Sequence, residues 1–268
     1  MVSVSATGNG SERMKIASVG VFNGSGVCCR LAVYPSGVIQ VSHAHESAIV
    51  SVVLAGRARE TSPRRAEAQI GFLALGVKPA GWQHANAYGP EGAAILSLSL
   101  PAGPEADEVN AASEPGWRAG GPALREFVAA AVRGELDEAR IVDVIAEALA
   151  SDVVRVRTAQ PPNWLLRVRE EIGESDAFVG DVARTHGVHR VYLARQFKKW
   201  FGCSLTAYRQ RLRAARAVSA STLERAPLGQ AAAAAGYADQ SHMTRAIGAA
   251  LGVTPGQLRN FVGLAGPT

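Results

Sequence analysis

The stretch DVARTHGV at residues 181–188, continued by LAR at 193–195 and GCSLTAYR at 202–209, decides the fold of the C-terminal half. The same pattern returns as QAAAAAGY at 230–237, MTR at 243–245 and GVTPGQLR at 252–259. The copies are offset by 49 residues from Gly187 to Gly236 and by 50 residues from Arg195 to Arg245. Helix lengths are therefore the same in both copies, and one extra residue falls in the second turn.

Each copy carries the start and stop signals of a helix-turn-helix unit. A glycine stands in the turn after the first helix, and Gly202 or Gly252 ends the second helix. Ser204 or Thr254 then caps a further helix. The pattern predicts helices over 178–185, 190–201 and 206–223, with a second reading helix capped by Asp239. Such units place one helix in the major groove of DNA, and two in tandem can address successive grooves.

The charge of the chain is divided unevenly between its halves. Residues 1–150 hold 12 Lys and Arg against 15 Asp and Glu, a net charge of −3, whereas residues 151–268 hold 16 against 8, a net charge of +8. A basic excess confined to the half with the duplicated motif is what a polyanion-binding domain requires. The alternative, a solvated basic face without a partner, is the weaker interpretation because motif and charge coincide.

Composition bounds the remaining possibilities. The 268 residues suit about two globular domains, and no apolar run is long enough for a transmembrane helix, so no membrane partner is expected. Residues 1–15 are small and polar and are expected to form a flexible tail. Three cysteines, two of them adjacent, make a poor disulfide framework, which favours a cytoplasmic protein with reduced thiols.

The outer faces of the two reading helices supply the candidate DNA contacts. Arginine donates to guanine, glutamine suits adenine, a valine methyl can touch the thymine methyl, and lysines more often meet phosphates. A surface histidine without a role is an equal alternative for His242. The candidates are Arg190, Val191, Ala194, Arg195, Lys198 and Lys199 in the first unit, and Gln240, Ser241, His242 and Arg245 in the second.

These positions carry a family resemblance. Over about residues 163–262 the chain resembles the AraC/XylS-type DNA-binding domain. In the first unit the resemblance rests on LARQFKK at 193–199, Gly202 and Tyr208. In the second it rests on Gly236-Tyr237, Asp239, Ser241, MTR at 243–245 and Thr254-Pro255. The resemblance implies a sequence-specific transcriptional regulator, commonly an activator that contacts RNA polymerase, and commonly a homodimer. Ile247-Gly248 stand where the family usually has Phe-Lys, so the second unit is expected to hold DNA more weakly than the first.

The N-terminal half predicts a β-structure. Short strands are expected at 16–22, 27–34, 49–55, 68–75 and 93–100, separated by Gly, Pro and Ser as in an all-β sandwich or barrel. The stretch 103–121 reads as a loop. Residues 122–154 turn helical, and their apolar positions suit either a dimer seam or packing within the chain.

Histidines in this half resemble the two half-motifs of the cupin barrel. His43 and His45 are followed by Pro79, Gly81 and His84, but Ile49 and Val50 stand where metal-binding cupins place a carboxylate. In one interpretation, three imidazoles bind Zn²⁺, Ni²⁺ or Fe²⁺, with Glu46 or water completing the shell. In the other, they are scaffold residues at the mouth of a ligand pocket. Candidate pocket residues are Arg30, Trp82, Gln83 and Tyr88.

The sequence therefore predicts an α+β protein with four parts. They are a tail at 1–15, a cupin-like sensor barrel at 16–103, a helical connector at 117–157 and a double helix-turn-helix domain at 163–264. The leading hypothesis is a regulator in which the barrel senses a small-molecule effector or a metal and the helical domain binds promoter DNA. The alternative is a metal-dependent cupin enzyme fused to a DNA-binding module.

Overall fold

The computed structural model describes residues 17–24, 26–63, 65–112, 114–151, 161–174 and 177–265. The predicted tail at 1–15 and the connector residues 152–157 lie outside these ranges. The strands are β1 Ala17–Gly24, β2 Val27–Tyr34, β3 Ile39–His43, β4 Ala48–Ser62, β5 Arg65–Gly71, β6 Ala74–Lys78, β7 His84–Leu100 and β8 Gly116–Ala119. The helices are α1 Pro104–Asn110, α2 Pro122–Arg133, α3 Glu138–Ala150, α4 Asn163–Glu174, α5 Val179–Thr185, α6 Arg190–Phe201, α7 Leu205–Thr222, α8 Leu228–Ala234, α9 Gln240–Leu251 and α10 Pro255–Gly263.

The strands form one antiparallel sheet in the order β1-β2-β7-β4-β6-β8, with β3 paired to β7 and β5 paired to β4. The long strands β4 and β7 form its centre and pair from Ala48 opposite Leu100 to Thr61 opposite Ala85. An antiparallel sheet followed by a helical C-terminal region confirms the predicted α+β class. Among the described residues, no helix combines the length and the apolar content that crossing a membrane demands.

A bulge in β4 changes which of its residues face the barrel interior, where Tyr88 and Trp117 form an inner cluster. Before it, Val53 belongs to the inner cluster with Tyr88 and Trp117; after it, Ala58 joins that cluster. Strand side chains alternate between faces, so an odd and an even residue can share one face only if an extra residue intervenes. The register of β4 against β7 shifts on both sides of Gly56 as this requires.

Two expectations for the barrel half are wrong. The stretch 68–75 is not one strand, because Phe72 and Leu73 form a turn between β5 and β6 and Leu73 adopts φ 60°. The stretch 103–121 is not a loop. It contains α1, whose Ala106 and Val109 are buried, and β8, which pairs with β6. The apolar spacing of α1 was the signal available in the sequence; the four residues of β8 were too short to show a pattern.

The connector helices pack within the chain. Leu124, Phe127, Ile141, Val144 and Ile145 are all buried in the core cluster that covers one face of the sheet. The structure thus uses the apolar stripe for intramolecular packing, and not as an open dimer seam. The Glu147 carboxylate fixes the two helices to each other by accepting hydrogen bonds from the backbone N–H groups of Gly121 and Ala123 at 2.8 Å and of Leu124 at 3.1 Å.

The helices of the C-terminal domain follow the predicted bounds closely. Helix α6 spans the predicted residues 190–201, α5 begins one residue after the predicted start, and α7 is displaced by one residue. Helix α4 buries Leu165, Val168 and Ile172 against α5 and α6 in a cluster separate from the rest of the chain. Buried residues of α8, α9 and α10 instead belong to the cluster that also contains the sheet and the connector helices.

Replacing Glu147 with alanine is expected to lower the free energy of unfolding by about 1–3 kcal/mol, because three backbone donors at the start of α2 lose a charged acceptor. Chemical denaturation followed by circular dichroism measures this change. The matched control is Glu126→Ala, an exposed residue of α2, with an expected effect within about 0.5 kcal/mol. Equal losses in the two variants would contradict the capping role.

Candidate functional site

Helix α6 presents the first group of predicted DNA contacts on one surface. The His189 side chain caps it by accepting from the Val191 N–H, and Gly202 ends it in a left-handed conformation. Leu193 and Phe197 are fully buried beneath the helix. The exposed residues include the complete predicted set, Arg190, Val191, Ala194, Arg195, Lys198 and Lys199, and also Tyr192. The structure therefore leaves four basic side chains and two small apolar ones exposed on α6.

A groove of about 830 Å³ runs beside this surface, between α5, α6 and the start of α7. Five of the six predicted α6 residues line it; Lys199 does not. Arg209, one of the arginines of the long helix that the sequence placed near the DNA backbone, also lines the groove, as does Phe178, which sequence reasoning missed. Arg209 donates from Nη2 to the Ala177 carbonyl at 2.6 Å, and Phe178 is 81% exposed. Phe178 stands at the N-cap of α5, and the sequence alone does not tell that its side chain is exposed.

Helix α9 presents the second group. The Asp239 carboxylate accepts from the His242 N–H at 2.6 Å at its start, and Met243, Ile247 and Leu251 are buried beneath it. The exposed residues include all the predicted contacts, Gln240, Ser241, His242 and Arg245. The His242 ring lies edge-on against Tyr237, with centroids 5.2 Å apart. The imidazole therefore has an aromatic neighbour within the unit as well as an exposed edge.

The two reading helices differ in charge. Helix α6 carries four basic residues and α9 carries Arg245 alone. Gly248, which departs from the usual family residue, would place a Cβ in open space with no atom within 4 Å. Packing therefore does not demand glycine at this position, and the missing basic residue is a property of the surface alone.

Three histidines of the barrel half form a compact cluster. His43 lies opposite His84 on β3 and β7, with ring centroids 4.4 Å apart, and His45 lies 5.2 Å from each of them. One ring nitrogen of each residue lies within 4.8 Å of the others. Glu46 is exposed and outside the cluster, so the expected carboxylate ligand is not brought to it.

Burial keeps the His84 and His45 imidazoles in their neutral form. Desolvation, with the Lys78 ammonium as a second cause, lowers the pKa of His84 to about 2 and the pKa of His45 to about 4. Neutral imidazole is the form that coordinates a metal ion, because a ring nitrogen must offer its lone pair. The donor set of three clustered imidazole nitrogens therefore fits Zn²⁺, Ni²⁺ or Fe²⁺.

Several polar residues inside the barrel escaped sequence reasoning. Lys78 Nζ pairs with Glu60 Oε2 at 2.7 Å, and both side chains are almost wholly buried. The Lys78 ammonium also lies 5.1 Å from the centre of the Trp117 ring. Tyr88, a predicted ligand residue, stacks on Tyr34 at 4.1 Å and donates from its hydroxyl to Gln40 Oε1 at 2.6 Å. Glu60 was missed because the predicted strand 49–55 stops before the bulge at Gly56, whereas β4 continues to Ser62.

The other predicted ligand residues occupy different places. Trp82 and Gln83 line a cavity of about 760 Å³ at the rim of the barrel, together with residues that include Pro79, Asn110 and Pro115. Arg30 is exposed on β2 and lines neither this cavity nor the histidine cluster. It lies between the buried Cys29 and Leu31, so its side chain leaves the sheet on the face opposite the helix-covered core.

Comparison with known families bears on the basic surface. Residues 182–260 match the family model described as a helix-turn-helix domain. This segment is a helix-turn-helix domain of the AraC type. Its matched range includes both reading helices, α6 and α9, and all ten predicted DNA contacts. A comparison with curated proteins finds no match for this chain.

Solved structures similar to the chain fall in two groups. The C-terminal domain of AraT, a response regulator from Geobacillus stearothermophilus, is 26% identical, covers 38% of this chain and 88% of its own, and has a TM-score of 0.36. ToxT from Vibrio cholerae is 9% identical over 89% of this chain and 99% of its own, with a TM-score of 0.36. A cupin superfamily protein from Desulfitobacterium hafniense is 16% identical over 34% of this chain and 82% of its own, with a TM-score of 0.30.

The metal-free protein is expected to lose stability as the pH falls below about 6.5. The unfolded chain then protonates His45 and His84, which stay neutral in the folded state because their pKa values are about 4 and about 2. Each group contributes up to about 1.4 kcal/mol per pH unit. Urea denaturation between pH 7.5 and pH 5 measures the slope. A double variant, His45→Gln with His84→Gln, should have a shallower slope, and an unchanged slope would contradict their burial as neutral groups.

Proposed function

We propose that this protein is a sequence-specific transcriptional regulator whose C-terminal domain binds promoter DNA and whose N-terminal barrel senses a small molecule or a metal ion. The observation that carries the proposal is the helix-turn-helix domain at residues 182–260, with both reading helices exposed. The net charge of +8 on residues 151–268 supports it, because a polyanion attracts a domain of opposite charge.

The exposed residues divide by the chemistry that they offer to DNA. Arg190, Arg195 and Gln240 donate to base edges, and Val191 with Ala194 offers apolar contact to a thymine methyl. Lys198 and Lys199 bind phosphates near the end of α6, where they position the unit without reading sequence. Ser241, His242 and Arg245 complete the contact surface of α9.

Arg195→Ala is expected to weaken binding by about 1–3 kcal/mol and to relax discrimination at one base pair, because the guanidinium can pair in a bidentate manner with guanine. The measurement is fluorescence anisotropy on a duplex that the full-length protein selects from a random library, and on its single-base variants. Arg59→Ala, on the barrel strand β4, is the control and should bind like the wild type. The assignment would be contradicted if Arg195→Ala bound the selected duplex and all its single-base variants with the affinities of the wild type.

The barrel offers two sensing sites. The histidine cluster of His43, His45 and His84 would hold one divalent ion, with water or a ligand group completing its shell. The rim cavity beside Trp82 and Gln83 would hold a small molecule, since its volume lies in the range of ligand pockets. Coupling requires only that the occupant favours one arrangement of the two halves over another.

The purified full-length protein is expected to bind about one equivalent of Zn²⁺ or Ni²⁺, measured by elemental analysis after dialysis. His84→Ala should lose this ion, because it removes the buried member of the three-nitrogen set. Gln83→Ala, one residue away and exposed, is the control and should keep it. A protein that takes up no ion, or a His84→Ala variant that retains it, would contradict the metal site and leave the rim cavity as the sensor.

A metal-dependent cupin enzyme fused to a DNA-binding module is the second candidate, favoured by the clustering of the three histidines. It requires that a small molecule retained by the protein, identified by native mass spectrometry, be converted when incubated with the metal-loaded full-length chain. Return of the molecule unchanged would exclude this function for that ligand and favour a sensor.

The remaining parts of the proposal concern partners. The AraC-type resemblance suggests activation through RNA polymerase and a homodimer. The apolar stripe of α2 and α3 is used inside the chain, so a dimer would form through another surface. Cytoplasmic residence follows from the proposed role on DNA.

A further inference from the structure

The two helix-turn-helix units are anchored in different ways. The first unit has a core of its own, in which Leu165 of α4 packs with Leu193 and Phe197 of α6. The second unit shares a core with the sensor half, because Ile247 and Leu251 of α9 belong to the same apolar cluster as Leu54 of β4 and Phe127 of α2. The second reading helix is thus attached to the barrel half, and the first is attached through α7.

A buried hydrogen bond joins α7 to β4. The Gly56 N–H donates to Ser219 Oγ at 2.9 Å, and Ser219 lies beside the fully buried Val218. Gly56 has φ +73°, and a Cβ there would lie 2.0 Å from the Gly92 carbonyl oxygen. Only glycine therefore fits this bulge, and the bulge directs a backbone donor out of the sheet to one side chain of α7.

A second anchor holds the far end of α9. Arg133 of α2 donates from Nη2 to the Gly252 carbonyl at 2.7 Å. A Cβ at Gly252 would lie 3.1 Å from the Ala129 Cβ, so the turn after α9 approaches α2 closely. The second unit is held by β4 through α7 and by α2 through the end of α9.

The geometry points to Ser219 as a positioning residue for the second DNA-reading unit. Its hydrogen bond to Gly56 sets how α7 sits on β4, and α7 fixes where α9 lies relative to α6. The same strand carries Val53 and Ala58, which face the inner cluster of the barrel on either side of Gly56. A displacement of β4 by an occupant of the barrel therefore reaches α9 through this bond. The inference rests on the proposed function, since it concerns the placement of a DNA reader.

The test compares Ser219→Ala with the wild type on two duplexes. One is selected by the full-length wild-type protein from a random library, and the other has the segment of the second unit scrambled. The segment bound by the second unit is identified with the Gln240→Ala variant: once that segment is scrambled, Gln240→Ala and the wild type bind with the same affinity. Loss of the Gly56 bond is expected to weaken binding to the intact duplex about two- to tenfold. Binding to the scrambled duplex should not change, because the first unit keeps its own core.

The matched control is Ser221→Ala. Ser221 is buried, like Ser219 and more completely, but its hydroxyl donates within its own helix, to the Val218 carbonyl at 3.2 Å. This variant should leave the ratio between the two duplexes at the wild-type value. Arg133→Met removes the second anchor through an exposed side chain and should show the same selective loss as Ser219→Ala. Hydrogen exchange at the Gly56 amide should quicken in Ser219→Ala alone.

The outcomes separate the two proposals. An equal loss on both duplexes, or no loss with unchanged exchange at Gly56, overturns the positioning role and leaves the DNA-binding function standing. A wild-type protein that selects no duplex overturns the proposed function and this inference with it. A selective loss in Ser219→Ala and Arg133→Met, absent in Ser221→Ala, supports the role of the bond.

Discussion

Burial of one face of the central strands against helices from both halves of the chain is the constraint on which the structure depends. Strands β4 and β7 pair over almost their whole length, and their alternate residues Leu54, Leu96 and Leu98 lie in one apolar cluster with helices of the connector and the second helix-turn-helix unit. Apolar burial is the main source of stability in a fold of this kind. The barrel, the connector helices and the second helix-turn-helix unit therefore share one apolar core, whereas the first unit has a separate core.

The inside of the barrel obeys a different rule. Lys78 and Glu60 are buried there as a pair, and such pairs seldom add stability because desolvation offsets their attraction. The desolvation free energy of the Lys78–Glu60 pair suggests that its charges serve a site in the barrel and not stability alone. Burial, with the Lys78 ammonium as the second cause, lowers the pKa of His84 and His45, so each of these two imidazoles keeps a free lone pair in this interior.

Sequence reasoning succeeded where a feature is local and failed where it depends on long-range pairing. The bounds of α6 follow from the Gly202 stop and the apolar spacing of Leu193 and Phe197, signals within one turn of each other. The histidine cluster was also within reach, because each half-motif is short. Glu60 and Lys78 were not, since Glu60 lies in β4 beyond the bulge at Gly56, Lys78 lies on β6, and only the tertiary fold brings them together. Arg30 stays a prediction, because alternation along β2 tells which residues share a face but not which of them line a site.

The unequal charge of the two reading helices separates arrival from residence on DNA. If α6 and α9 bind DNA as proposed, long-range attraction acts mainly on the four basic residues of α6, so the first unit would govern the association rate, and this rate would fall steeply with salt. Helix α9 adds mainly neutral donors, which act at contact distance and lengthen the stay on a matching segment. In such a protein the first unit would set the association rate and the second unit would set the residence time on a matching site.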